Sequence, residues 1–320
     1  MYEDQLIGLR HPVTRELAQM SVMGANGEHL CLALYLGEES LHRFNLIHRK
    51  AEDGHGLSQQ DSMDLILESR QLQISFERRE HLSKNELAII KKLGRKYRGN
   101  NWPLFRSFHP GSCPAPVNDA EAEWLIFAME QIIEITPSLK EDPSIYQRGG
   151  KKGLETLTRE FHEGVWRSIW LPDDTRVFQF PTPAPDAALV SKVAGHKNRL
   201  IVECQFQMAT IPIGPGREAS IFPYMLFSVD SASGFVLGMQ MLSTGEQTHE
   251  SLIASVPDSF LKEWDRNGIC PASIHVGTLA TEAALKKTAA ALKIPLLVKP
   301  ELPALDEALS SVMGFMRGGH

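Results

Sequence analysis

Residues 98–111 read RGNNWPLFRSFHPG. Arg98, Trp102, Arg106 and His109 put cations and a ring within a dozen residues, and Phe105 and Phe108 add two more aromatics. Cations neutralise phosphate and aromatic faces stack on bases, so this pattern suits a nucleic-acid or other ligand-binding surface. The charge is concentrated here. From Lys84 to Gly111 the chain carries Lys84, Lys91, Lys92, Arg95, Lys96, Arg98 and Arg106 against Glu86 alone. The stretch matches no named nucleic-acid signature. A competing structural reading makes Trp102, Phe105 and Phe108 anchors of a proline-stiffened crossing and the lysines the wet face of a helix over 84–93. That reading buries the Trp102 ring and predicts a cost of about 3–5 kcal/mol for Trp102→Ala. In a strand Arg106 lies opposite Phe105, free to pair with a carboxylate or a ligand anion.

A second chemistry needs carboxylates that converge on two divalent cations to hydrolyse a phosphodiester. The candidates are Glu203 on a strand and Asp306 and Glu307 on the last helix. The segment IHVGTLAT, where a further ligand is needed, has no acid before Glu282. Asp230 sits at a hairpin tip, the ordinary place for a turn-forming Asp. The expectation is therefore no catalytic residue set, no metal and no cofactor. Glu203 instead joins Gln205 and Gln207 on the less buried side of its strand, and Asp306 and Glu307 complement a helix dipole.

Other motifs are weaker. There is no GxSxG elbow and no HExxH, and His162-Glu163 and His249-Glu250 are neighbours without i,i+4 spacing. RGGKKG (148–153) lacks the phosphate-loop frame, and PIGPGRE (212–218) reads as a hairpin loop rather than an anion nest.

The elements that must position these residues follow from pattern and composition. A chain of 320 residues with 42% hydrophobic content favours two domains with full cores. A net charge of −6 argues against general polyanion binding but leaves room for a local basic patch. Cys31, Cys113, Cys204 and Cys270 form no tight cluster and read as reduced, buried thiols. The first residues, MYEDQLIGLRH, predict no signal peptide, and the most apolar window, WLIFAMEQIIEI, is too short to span a bilayer. The expected setting is the cytoplasm, without a membrane partner.

An Asn-Gly hairpin around Ala25-Asn26-Gly27 opens the chain. Helices are predicted over 38–49, from Ser58, over 84–93 (Ser83 cap, Glu86 box) and from Asn118, the last ending before Pro137. LQISFERRE reads as a strand. Residues 137–153 and FPTPAPD (180–186) are rich in turn formers and read as connectors. The predicted organisation is a mixed α+β domain over 1–150 and an α/β domain over 151–320. The second half reads β-β-β-α-β-α-β-α, with a central strand from Leu200 parallel to ASIHVG. Short right-handed connections then leave a ribonuclease-H-like sheet as the expected topology.

The strings SVMGANGEHLCLALYLGEESL, RKYRGNNWPLFRSFHPG, FSVDSASGFVLG and LPALDEAL resemble a bacterial family of uncharacterised proteins with two adjacent domains of unknown function. The resemblance spans roughly 20–140 and 200–312 and implies membership without an activity or a residue set. The function expected from the residues is non-catalytic binding or scaffolding, with a protein or nucleic-acid partner at 84–111. The alternative is the metal-dependent hydrolase. Oligomeric state stays open.

Overall fold

The computed structural model describes residues 6–24, 30–53, 56–150, 153–209, 211–214, 220–243 and 248–318. The Ala25-Asn26-Gly27 turn, Lys151 and Lys152 of RGGKKG, and 215–218 of PIGPGRE lie outside them. In chain order the elements are β1 (Ile7–Arg10), β2 (Leu17–Met23), β3 (Cys31–Leu36), α1 (Gly37–Glu52), α2 (Gln59–Leu67), β4 (Gln71–Glu77), α3 (Lys84–Lys92), β5 (Trp102–Phe108) and α4 (Asp119–Glu141). There follow β6 (Gln147–Gly150), β7 (Gly153–His162), β8 (Val165–Pro172), α5 (Ala187–Ala194), β9 (Asn198–Met208), β10 (Tyr224–Asp230) and β11 (Val236–Leu242). The last are α6 (His249–Arg266), β12 (Ile269–Val276), α7 (Leu279–Leu292), β13 (Leu296–Val298) and α8 (Pro303–Gly318). The protein is mixed α+β, built on two mixed sheets.

These elements form two compact units. The first comprises residues 1–49, 68–109 and 114–178, and the second 50–67, 110–113 and 179–320. The later boundary, between Phe178 and Gln179, falls at the start of the proline-rich stretch.

In the first unit the described strands run β5-β4-β3-β2-β1-β7-β6, with β8 also paired to β7. The meander β1 to β5 is antiparallel, and β7 joins β1 in parallel. Helix α4 covers the sheet. Trp124, Leu125, Ala128 and Ile135 recur at helical spacing and pack on Ile7, Leu9, Met20, Leu34 and Leu72. Contrary to the composition of 137–153, this segment is not a bare linker. Helix α4 runs through Pro137 to Glu141 because Ile135 and Leu139, on either side of it, hold the last turns on the core. The Thr136 hydroxyl bonds the Ile132 carbonyl in the turn where the proline withholds a donor.

In the second unit the sheet order is β11-β10-β9-β12-β13. Strand β9 is central, antiparallel to β10 and parallel to β12, as expected from the crossover lengths. Its alternation assigns two faces. Val202, Cys204, Phe206 and Met208 enter the core with Phe260, Leu261 and Trp264 of α6 and Leu285 of α7. On the opposite side of the sheet, Leu302 and Leu305 at the start of α8 pack on Phe227 and Val229 of β10. All four cysteines are buried free thiols. Among the described residues no helix is long and apolar enough to cross a membrane.

A buried acid of α6 faces β10 and β11. Glu263 of α6 is 4% exposed, and its carboxylate accepts a bond from the Ser228 hydroxyl at 3.3 Å. Gly238 of β11 makes room for it, since a Cβ there would sit 2.1 Å from the carboxyl carbon. Burial pushes the Glu263 carboxyl up to about 7, against the Ser228 bond and the nearby Arg266. The folded chain therefore holds this proton more tightly than the unfolded chain does. Its contribution is complete below the ordinary carboxyl range and is lost as pH rises through about 7. Chemical denaturation at pH 5.5 and pH 8 should show wild type losing on the order of 2 kcal/mol that Glu263→Gln does not lose. Equal pH dependence in the two proteins would place the carboxyl in contact with water.

Candidate functional site

The basic stretch forms one margin of the first sheet. Helix α3 starts at a capping box in which the Ser83 hydroxyl accepts the Glu86 N–H and the Glu86 carboxylate accepts the Ser83 N–H. The helix ends at Leu93 and buries no side chain completely. The chain then returns as β5, the edge strand, paired to β4 with Trp102 opposite Glu77 and Arg106 opposite Gln73. Pro103 sits on this edge strand, where a missing N–H is tolerated.

Arg106 is not free. Its guanidinium pairs with Glu86, so one carboxylate both caps α3 and ties the helix to β5. Burial pushes the Glu86 carboxyl up, but Arg106 and Ser83 outweigh it and hold the group below its ordinary value. His109 is exposed and lies 3.5 Å from Glu121, which also binds Arg70 and the Ser107 hydroxyl. Partial burial and Arg70 pull the imidazole below its ordinary value, against the pull of Glu121.

With Glu86 committed to Arg106, the remaining cations of the stretch have no acid. Lys84, Lys91, Lys92, Arg95, Lys96 and Arg98 are all exposed, and none has an ion-pair partner among the described residues. Trp102 is half-buried rather than sunk in the core, because it begins an edge strand that has a neighbour on one side only. Its ring lies 5.8 Å from Tyr97 and under the Arg79 guanidinium at 5.9 Å. Ile89 at 58% exposure, Leu93 at 66% and Phe105 at 36% add apolar surface. Arg98 and Trp102 thus belong to an open basic and aromatic surface. Arg106 is taken up by Glu86, and His109 lies beside Glu121.

The sequence-nominated carboxylates lie in the second unit. Glu203 is buried, not on a solvent-facing side. One oxygen accepts the Ser231 hydroxyl at 2.8 Å and the other the Leu305 N–H at 2.9 Å, so it caps the first turn of α8, which covers it. Asp306 and Glu307 are exposed in that same turn. Among the described residues no three His, Cys, Asp or Glu side chains gather as a metal-binding group.

Sequence pattern alone missed the acids of α2. Asp61 reaches the start of α7, where both its oxygens accept the Leu279 N–H at 3.0 and 3.1 Å. Burial pushes its carboxyl up, opposed by bonds from Ser58, Leu279 and Ala280. Asp64 accepts the Met208 N–H at the end of β9, at 3.4 Å, and the Gln60 amide at 2.7 Å. The local signal was only the Ser58-to-Asp61 spacing, which reports a cap and not its distant partner.

Residues 1–159 match the family model described as Domain of unknown function (DUF7309), and residues 191–313 the one described as Domain of unknown function (DUF6930). No curated protein and no solved structure matches the chain.

Two variants check the margin's construction. Trp102→Ala should cost about 1.5–2.5 kcal/mol, roughly half the core value, because the ring is half-buried. Glu86→Ala should cost about 1–2 kcal/mol by removing a cap bond and an ion pair together. Urea midpoints measure both, and a Trp102→Ala cost of 4 kcal/mol would return the ring to the core.

Proposed function

For a chain that carries these two adjacent domains of unknown function, we propose a non-catalytic binding role. Its recognition surface is the α3–β5 margin and its partner is a single-stranded nucleic acid. The observation that carries this reading is the set of six exposed cations without an ion-pair partner among the described residues, beside the Tyr97–Trp102 pair, in a chain whose net charge is −6. Local positive charge in an acidic protein is not a by-product of composition. Lysines and arginines along a strip track phosphates, and an accessible aromatic pair offers a sequence-tolerant stacking platform.

The sheet order of the second unit supports a ribonuclease-H-like reading of its topology. That reading keeps a metal-dependent hydrolase as the alternative function, with Glu203, Asp306 and Glu307 as its acids. Against hydrolysis stand the two bonds that already occupy both oxygens of Glu203. A carboxylate so engaged must give up a helix cap to bind a cation, and two close divalent ions need several anionic ligands to offset their repulsion.

Fluorescence anisotropy with labelled 20-mer oligo(dT) and oligo(U) tests the binding reading. About four to six phosphate contacts predict a slope of roughly −3 to −4 in log K against log salt. Combined Lys91→Ala, Lys92→Ala and Arg95→Ala substitutions should weaken binding at least about tenfold and flatten that slope. Binding that ignores both salt and this triple variant would contradict the proposal. Incubation of the same oligonucleotides with Mg²⁺ or Mn²⁺ should leave them intact. Cleavage lost in both Glu203→Gln and Asp306→Asn would establish the alternative.

A further inference from the structure

The second unit contains a cavity of about 560 Å³ that the motifs did not point to. It opens beyond the carboxyl ends of β9 and β12, where the sheet changes from antiparallel to parallel neighbours. In open α/β sheets ligands bind in the crevice outside the carboxyl ends of the strands. Gln205 and Gln207 of β9 and Gln60 of α2 supply its polar lining, and Met63, Leu302 and Leu305 its apolar wall.

The three amides are only half used. The Gln205 Nε2 donates to the Gln207 Oε1 at 2.8 Å, and the Gln60 Nε2 donates to Asp64 at 2.7 Å and to the Met208 carbonyl at 3.3 Å. That leaves Gln205 Oε1, Gln207 Nε2 and Gln60 Oε1 without a protein partner among the described residues. Gln205 is only 7% exposed, and it lines the cavity with its acceptor open. Gly277 keeps the space above it clear, since a Cβ there would lie 3.3 Å from Gln205 Oε1 and 3.3 Å from Leu302.

Ser58, Gly277 and Pro300 also line an adjoining cavity of about 380 Å³, which holds Lys50 and Lys299. Neither lysine has an ion-pair partner among the described residues. Asp61 also lines it, but its oxygens are turned to the Leu279 N–H and the Ser58 hydroxyl.

We propose that these two adjoining cavities, which share Ser58, Gly277 and Pro300 as walls, bind a mononucleotide, with the base against the glutamine amides and the phosphate toward Lys50 and Lys299. An acceptor, a donor and a second acceptor from neutral amides complement the mixed hydrogen-bonding edge of a nucleobase. Met63, Leu302 and Leu305 cover its apolar face, and the lysines neutralise the phosphate. The proposal is independent of the α3–β5 margin and stands or falls separately from it.

Isothermal titration of the full chain with AMP, GMP, CMP and UMP, the matching nucleosides and ribose 5-phosphate tests it. At least one mononucleotide should bind at millimolar or lower concentration, with its nucleoside about tenfold weaker and ribose 5-phosphate weaker still. Lys299→Met should bring the nucleotide down to the affinity of its nucleoside and leave the nucleoside unchanged. Gln205→Met and Gly277→Ala should weaken both about tenfold or more. Gln207→Met, at a half-buried position, carries the same expectation should Gln205→Met fail to fold. No binding of any mononucleotide at 5 mM would overturn the proposal. So would ribose 5-phosphate binding as well as the nucleotide, or folded amide variants binding like wild type.

Discussion

The second unit depends on how the end of β9 satisfies its backbone. Pairing with β12 stops at Cys204, yet β9 continues to Met208. Buried N–H groups on that overhang need acceptors. The Thr281 hydroxyl of α7 takes the Phe206 N–H at 2.9 Å, and Asp64 of α2 takes that of Met208. Asp61, one turn earlier on α2, closes the start of α7, where unpaired N–H groups and the helix dipole favour an anion. Two carboxylates on a nine-residue helix thus make it part of a sheet more than a hundred residues later. That docking also brings Gln60 and Met63 to the amide-lined cavity.

The first unit solves a different problem at its α3–β5 margin. An edge strand whose aromatics are only half-buried or exposed, and a helix without a fully buried side chain, would be poorly held by packing alone. Glu86 supplies the constraint, serving the cap and the Arg106 pair at once. Using that carboxylate inward leaves the outer cations uncompensated, so the same residue stabilises the margin and keeps it positive. Partial exposure of Trp102 follows from the strand's place at the edge.

Much of this was legible in sequence, and the reasons are local. Ser83 with Glu86 forms a full capping box as its spacing implied, and Asn118 opens α4. The central place of β9 and its parallel pairing with β12 followed from strand alternation and crossover length. What failed to show is tertiary. Alternation put Glu203, Gln205 and Gln207 on one side of β9, but could not say that α8 closes over Glu203 while Gln205 faces a cavity. Pro137 reads as a stop, and only packing carries α4 past it. The hairpin of β7 and β8 turns at Glu163 and Gly164, both at positive φ, a pair whose composition gave little warning.

The docking of α2 by its two carboxylates is the claim on which the description of the second unit rests. Amide hydrogen exchange at Leu279 and Met208 measures it most directly. In wild type both amides should be protected to the level of Val202 in the middle of β9. In Asp61→Ala the Leu279 amide should exchange faster by orders of magnitude while Val202 stays protected. Leu279 exchanging at the rate of an open amide in wild type, or unchanged by Asp61→Ala, would contradict the account.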